Sequence, residues 1–273
     1  MGIFDGILFC TDLDGTLLRK DKTVSDENLQ AIDYFKSEGG YFTFITGRMP
    51  FFVSDVYEKI QPNVPIGCVN GGGLYDYANR KYIWTSTMPE EVTELIQCVD
   101  EAFSDIGIQV NTFYETYFCR ENKTMQHFRE VTHLPNLICS YREINQPIAK
   151  ILFGSENGDT IEQIARILKV HPLADRFDFI RSEKTLFEIL PKGIGKGTVI
   201  GKLAQYLHVE MDKTIAIGDY NNDISMFQAA GIGIAVANAC ADAREAADYI
   251  TVSNEEHAIA QVICDLADGK YVL

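Results

Sequence analysis

Short, uninterrupted apolar runs alternate with helical stripes at both ends of the chain. Ile7, Leu8, Phe9 and Cys10 form the first run, Ser25 stands as a helix cap before the one-faced stripe Leu29, Ile32 and Phe35, and Gly39-Gly40 closes that segment. A second run covers residues 41–45, and a third covers 66–69 after a segment entered by Pro50. Strands this continuously apolar are dry on both faces, which predicts a parallel sheet with helices on each side. The last third repeats the grammar: a stripe of Val199, Ile200, Leu203, Ala204 and Leu207, a run at 214–217, a helix near 224–230 and a run at 232–236. From about residue 79 to 189 the texture changes. Residues 74–77 pair with 82–84 and 110–113 with 117–119 as hairpins. Two amphipathic helices carry Val92, Leu95, Ile96 and Val99, and Ile161, Ile164, Ala165 and Leu168. The expected architecture is α/β, a Rossmann-like parallel-sheet core from residues 1–78 and 190–273 with an inserted αβ cap domain at 79–189.

Charge and composition narrow the partners. A formal net charge of −15 leaves too few clustered Lys and Arg to neutralise nucleic acid or an anionic membrane, so small molecules are expected. An anionic ligand stays possible where a metal and a few placed cations reverse the local field. The seven cysteines are widely spaced, without a Cys-x-x-Cys pair, which favours a reducing cytoplasm over a disulfide framework or zinc site. No run approaches the ~20 apolar residues of a membrane helix, and the opening residues show no basic leader region, so the reading expects a soluble, cytoplasmic monomer or small homo-oligomer.

The chemistry is concentrated at strand ends. Asp12-Leu13-Asp14-Gly15-Thr16 follows the first apolar run and sets two carboxylates at the carboxyl end of a parallel strand, where open α/β sheets bind ligands. Thr46-Gly47-Arg48 ends the second run with a hydroxyl and a glycine amide suited to phosphate oxygens. A glycine-rich approach, Lys192 to Gly197, leaves Lys196 at a helix start, against the dipole preference that a purely structural helix obeys. Gly218-Asp219-Tyr220-Asn221-Asn222-Asp223 follows the run at 214–217 with hard oxygen ligands of the kind magnesium takes. Each stretch alone also reads as a turn or a cap; two acidic turns after two core strands converge on one rim.

In this order the four stretches resemble the motifs of the haloacid-dehalogenase-like hydrolase superfamily. The large insert, Asn70-Gly71 and Leu186-Phe187-Glu188-Ile189 resemble its Cof-type, sugar-phosphatase-like subgroup, whose members carry an αβ cap. Two local departures are the run Gly71-Gly72-Gly73 and His257, where glycine is common. The resemblance implies a Mg2+-dependent phosphatase acting on a small phosphorylated metabolite. Asp12 is then the nucleophile that becomes an aspartyl-phosphate, and Asp14 the group that protonates the leaving alkoxide and later activates water. It implies magnesium on Asp12, the Asp14 carbonyl and Asp219, supported by Asp223, and phosphate oxygens held by Thr46, Gly47, Lys196 and Asn222. Alternatives are a hexose-phosphate mutase, a phosphatase for nucleotides or cofactors such as flavin mononucleotide or pyridoxal phosphate, and a non-enzymatic sensor. For the insert, polar and aromatic residues including Asn111, Tyr114, Tyr117, Arg120 and Lys123 are candidates to touch substrate, the alternative being that they coat its sheet.

Overall fold

The computed structural model describes residues 2–132 and 134–271. The chain begins with β1 (Leu8–Thr11), α1 (Asp26–Ser37), β2 (Tyr41–Phe44), α2 (Ser54–Ile60) and the strands β3 (Ile66–Cys68), β4 (Gly73–Asp76) and β5 (Lys81–Thr85). It continues through α3 (Val92–Ala102), β6 (Gly107–Thr112), β7 (Thr116–Arg120), α4 (Lys123–Val131), β8 (Ile148–Gly154), α5 (Gly158–Lys169), β9 (Phe177–Glu183) and β10 (Leu186–Pro191). It closes with α6 (Lys196–Leu207), β11 (Thr214–Gly218), α7 (Ile224–Ala229), β12 (Ile232–Ala235), α8 (Ala241–Ala246), β13 (Tyr249–Ile250) and α9 (Ala258–Ala267). Two compact units result, one of residues 1–85 with 195–273 and the other of 86–194. Their crossings lie a few residues beyond the expected 78/79 and 189/190. β5 belongs with β4 in the first unit, and β10 runs on to Pro191 in the second.

The first unit is built on a parallel sheet of order β13-β12-β11-β1-β2. Ser25 caps α1 as expected, its hydroxyl accepting from the Asn28 amide at 3.2 Å. Phe9, Phe35, Phe42, Phe44, Ile215, Ile217 and Ile234 are buried, which is why these strands read as unbroken apolar runs. β1 lies between β2 and β11, so the chain leaves it toward one side and returns on the other, making this a topological switch point. Register does the rest: Thr11 pairs with both Phe44 and Ile217, so β1, β2 and β11 end level.

The third apolar run departs from expectation. Instead of reaching Val69 within the parallel sheet, β3 stops at Cys68. It touches β2 through a single bridge, Ile45 to Gly67, and pairs antiparallel with β4 in a small sheet of order β3-β4-β5. The reason is local: Val69 and Asn70 adopt left-handed φ of 56° and 51°, costing about 1–2 kcal/mol each, and end the strand. Backbone bonds from Val69 to the Arg48 carbonyl and from Asn70 to the Thr46 carbonyl, both 3.1 Å, hold this turn against the strain.

The second unit is an antiparallel sheet of order β7-β6-β8-β10-β9 with helices. The faces of α3 and α5 expected from periodicity pack on Ile108, Val110, Ile151, Phe153, Phe187 and Ile189. The intervening strand positions carry Gln109, Asn111, Lys150 and Glu188, polar yet buried. Among the described residues no helix is long and apolar enough to cross a membrane.

The Lys150–Glu188 pair, 3.1 Å apart, makes a firm test of the second unit. Removing one partner of a buried ion pair leaves an uncompensated charge worth about 3–5 kcal/mol, so Glu188→Ala should lower the thermal midpoint by roughly 5–15 °C. The double variant Lys150→Met/Glu188→Leu should recover most of that loss in the same melting experiment.

Candidate active site

The level strand ends deliver the two acidic turns and the Thr46-Gly47 turn to one edge of the first unit. Asp12 continues β1 by donating its amide to the Ile217 carbonyl at 2.9 Å, and its side chain is buried. Beyond it the chain turns tightly: Leu18 returns to the Leu13 carbonyl at 2.8 Å, and Gly15 takes φ of +83°. A Cβ on Gly15 would lie 2.5 Å from Asp219 Oδ2, so glycine is what lets the two acidic turns approach. The turn is strapped from the far end of the chain. Asn238 Nδ2 donates to the Gly15 carbonyl at 2.8 Å, Asn254 Nδ2 to the Leu18 carbonyl at 2.9 Å, and the Asn254 amide to Asn238 Oδ1 at 2.9 Å.

Lys196 is the first residue of α6, behind the N-cap Gly195, and its side chain is only 2% exposed. Its ammonium donates to Asp12 Oδ1 at 2.5 Å and to Asp223 Oδ1 at 2.6 Å. Burial opposes the charge, but the two carboxylates outweigh it and hold the ammonium pKa above its usual value. The other Asp223 oxygen accepts from the Asp219 and Tyr220 amides at 2.9 and 3.0 Å, so Asp223 ties the β11 turn to α6. Asp219 Oδ1 accepts from the Thr16 hydroxyl at 3.0 Å.

Carboxylate oxygens of Asp12, Asp219 and Asp223 all lie within 4.8 Å of one another. Burial, and then the neighbouring carboxylates, push Asp219 up to about 6. Asp12 is raised well above the usual carboxylate range, chiefly by burial, with Lys196 pulling the other way and Asp223 and Asp219 adding to the rise. Three carboxylates facing one ammonium therefore lack positive charge, and a divalent cation fits that deficit: hard oxygen donors, closely spaced, one half-exposed.

On the β2 side, Thr46 is buried and its hydroxyl accepts from the Arg48 amide at 3.2 Å. A Cβ on Gly47 would lie 2.8 Å from Asn70 Oδ1, and Asn222 Nδ2 donates to that same oxygen at 3.2 Å. Asn70 thus bridges the Thr46–Gly47 turn and Asn222. Asp14 projects from the β1 turn into a cationic pair, Arg48 and Lys22. Burial raises its pKa, but the Arg48 charge and the Lys22 hydrogen bond prevail and keep it below the ordinary carboxylate value.

Asp12, Asp14, Thr46, Gly47, Lys196, Asp219, Asn222 and Asp223 are thereby gathered within the first unit. The expected substrate residues of the insert are not gathered in this way. Tyr114 is 69% exposed, Tyr117 gives its hydroxyl to Glu115, and Arg120 is committed to Asp100 and to the Phe103 carbonyl at 2.5 Å. Lys123 is exposed, 3.9 Å from Glu156. Asn111 is buried on β6, accepting from Gln109 at 3.0 Å and Thr116 at 2.8 Å. Sequence reasoning passed over Arg48, Asn238 and Asn254, and it gave Asn70 no role. For Asn70 a signal existed, since a polar residue ending an apolar run before three glycines marks a left-handed turn.

A sequence profile of haloacid dehalogenase-like hydrolases matches residues 9–263. The chain belongs to this family. It is a haloacid dehalogenase-like phosphatase of the Cof-type subgroup, with the α/β core and inserted antiparallel sheet of that fold. The 5-amino-6-(5-phospho-D-ribitylamino)uracil phosphatase YwtE of Bacillus subtilis is 31% identical over 293 residues, covering 95% of this chain and 98% of that protein. YitU, a B. subtilis phosphatase of the same designation, is 26% identical over 262 residues, covering 94% and 96%. A crystal structure of a haloacid dehalogenase-like hydrolase from Bacteroides thetaiotaomicron is 24% identical and superposes with a TM-score of 0.82, over 95% of this chain and 99% of that one.

If the acidic cluster of this haloacid dehalogenase-like phosphatase holds a divalent cation, the cation binds the folded chain and not the unfolded one. At a hundred times its dissociation constant it should then stabilise the fold by about 2.7 kcal/mol. Scanning fluorimetry of the chelated protein should show the thermal midpoint rising as Mg2+ is added, and Asp219→Asn should lose most of that rise. An unchanged rise in the variant would move the cation elsewhere.

Proposed function

We propose that this chain hydrolyses small phosphate monoesters, with Mg2+, through a phosphoryl group carried on Asp12. The observation behind this reading is the Asp12 carboxylate itself: buried at the end of β1, bonded to Lys196 at 2.5 Å, and grouped with Asp219 and Asp223. Asp12, Asp219 and Asp223, with the Asp14 carbonyl, would hold the ion. Bound there, Mg2+ keeps Asp12 ionised and offsets charge on the transferring phosphoryl oxygens.

The chain's own groups account for the remainder. An Asp12 oxygen attacks phosphorus in line, the P–O bond to the alcohol breaks, and the alkoxide takes a proton from Asp14. Water then attacks the aspartyl-phosphate, gives its proton to Asp14, and releases phosphate and free Asp12. The Lys196 ammonium lies against the attacking carboxylate, so it can pass from Asp12 to a phosphoryl oxygen as the new bond forms. The Thr46 hydroxyl, Gly47 amide and Asn222 carboxamide supply further donors to the non-bridging oxygens. The paired, anionic Asp14 is the form that accepts a proton from water in the second step; for the first step it must carry one.

For the substrate we favour a phosphorylated sugar or polyol, a primary alcohol phosphate on a hydroxylated chain. Two relatives spanning nearly the whole chain are named for a phosphoribityl compound, which supports this class.

The test is phosphate release from D-ribitol 5-phosphate, glucose 6-phosphate and p-nitrophenyl phosphate. Release should require Mg2+, fall on chelation and return poorly with Ca2+, whose looser shell misplaces the nucleophile. Asp12→Asn should stay folded and lose at least about 10³-fold in turnover. Near wild-type release by that variant would remove Asp12 from its role, and phosphate migration without release would indicate a mutase.

A further inference from the structure

Arg48 has no part in the mechanism above, yet it makes the most specific contact to Asp14. Its guanidinium meets the carboxylate as a fork, Nε to Oδ2 at 2.9 Å and Nη2 to Oδ1 at 2.7 Å, while Lys22 Nζ reaches Oδ1 at 2.8 Å. Both ends of the fork stand on braced backbone. Arg48 donates its amide to the Thr46 hydroxyl at 3.2 Å, and its carbonyl accepts from Val69 at 3.1 Å. Asp14 bridges to Leu18, and the next carbonyl in the turn, Gly15, is held by Asn238.

An aspartate carboxyl turns about a broad, nearly two-fold torsion, so a single contact leaves its plane undefined. Two parallel N–H···O bonds from a rigid guanidinium define it. The lysine is a point charge on a flexible stem, 63% exposed, and does not. The fork also distinguishes the two oxygens. Each has about two lone-pair sites. Oδ1 accepts from both Arg48 and Lys22, whereas Oδ2 accepts from Nε alone.

We infer that Arg48 is a positioning residue for the reaction: its fork sets the plane of the Asp14 carboxyl and leaves Oδ2 as the oxygen that exchanges a proton with the leaving alcohol and with water. The inference rests on the reading of Asp14 as the proton-transfer group. It also accounts for an arginine after Thr46-Gly47 that lies outside the core, its side chain 32% exposed, with its guanidinium taken by a carboxylate. As an ordinary, partly exposed ion pair it would be worth no more than about 1 kcal/mol and would be indifferent to the substrate.

The experiment compares first-turnover phosphorylation by D-ribitol 5-phosphate and by p-nitrophenyl phosphate in the full-length chain with Mg2+. A nitrophenolate leaves without a proton and an alkoxide does not, so the ratio of the two rates reports proton delivery. Arg48→Met should cut the alkyl phosphate rate by roughly 10–100-fold while changing the aryl rate less than about threefold. Arg48→Lys, which keeps the charge and loses the fork, should fail to restore the alkyl rate, and Lys22→Met should lose less than Arg48→Met. Equal losses on both substrates, or full rescue by Arg48→Lys, would overturn the inference. Asp14→Asn separates the two levels. A loss selective for the alkyl substrate with no such selectivity in Arg48→Met removes the positioning role alone. Equal loss on both substrates in Asp14→Asn removes the acid assignment on which that role rests.

Discussion

A buried ammonium between two carboxylates is the interaction on which the site depends. Lys196 joins Asp12, at the end of β1, to Asp223, in the turn after β11, from the first position of α6. Three segments, with Asp12 184 residues from Lys196 and Asp223 a further 27 beyond it, are fixed by one charged atom. Such a triad is costly to desolvate and is not a device for stability. It also runs against the helix dipole, because a cation at a helix start loses the favourable field that an anion would gain there. In the proposed mechanism the arrangement serves as an anion site with its donor already in place. On that proposal the ammonium would exchange one oxygen partner, on Asp12, for another on the phosphoryl group.

Everything else brings these groups into register. Parallel pairing makes β1, β2 and β11 end level, so Asp12, Thr46 and Asp219 emerge from the same edge. Gly15 and Gly71 then permit approaches that no side chain allows: a Cβ on Gly71, at φ of +95°, would fall 1.9 Å from the Gly195 carbonyl oxygen, just before Lys196. The strained Val69–Asn70 turn belongs to the same scheme, since it carries Asn70 to Asn222 and Gly71 to the foot of α6. Strain is found at the site and is absorbed by backbone bonds to Thr46 and Arg48.

Much of this was legible in the sequence for a physical reason. Strands buried on both faces must be continuously apolar, so β1, β2, β11 and β12 announced themselves, and carboxylates directly after such strands fall at the ligand-binding edge. The helical stripes of α3 and α5 gave one face of the insert for the same reason. What escaped depends on partners far apart in the chain. Arg48 meets Asp14, Asn254 meets the Leu18 carbonyl 236 residues away, and no local pattern encodes either contact. In the insert, exposed polar and aromatic residues drew attention, but the buried polar groups lie on strands whose period-two alternation looks half-solvated. In the sequence Gln109 does not stand out, and Asn111 is a substrate candidate that could equally coat its sheet; each is at most 2% exposed.

The central claim is that Asp12 carries the phosphoryl group. It is tested most directly by acid-quenching the enzyme during its first turnover with isotopically labelled alkyl phosphate and mapping the label by peptide mass spectrometry. A phosphoryl group carried on Asp12 should appear as a hydroxylamine-sensitive adduct on the peptide that contains Asp12, formed before free phosphate appears. A label on another residue, or free phosphate released with no adduct preceding it, would contradict it.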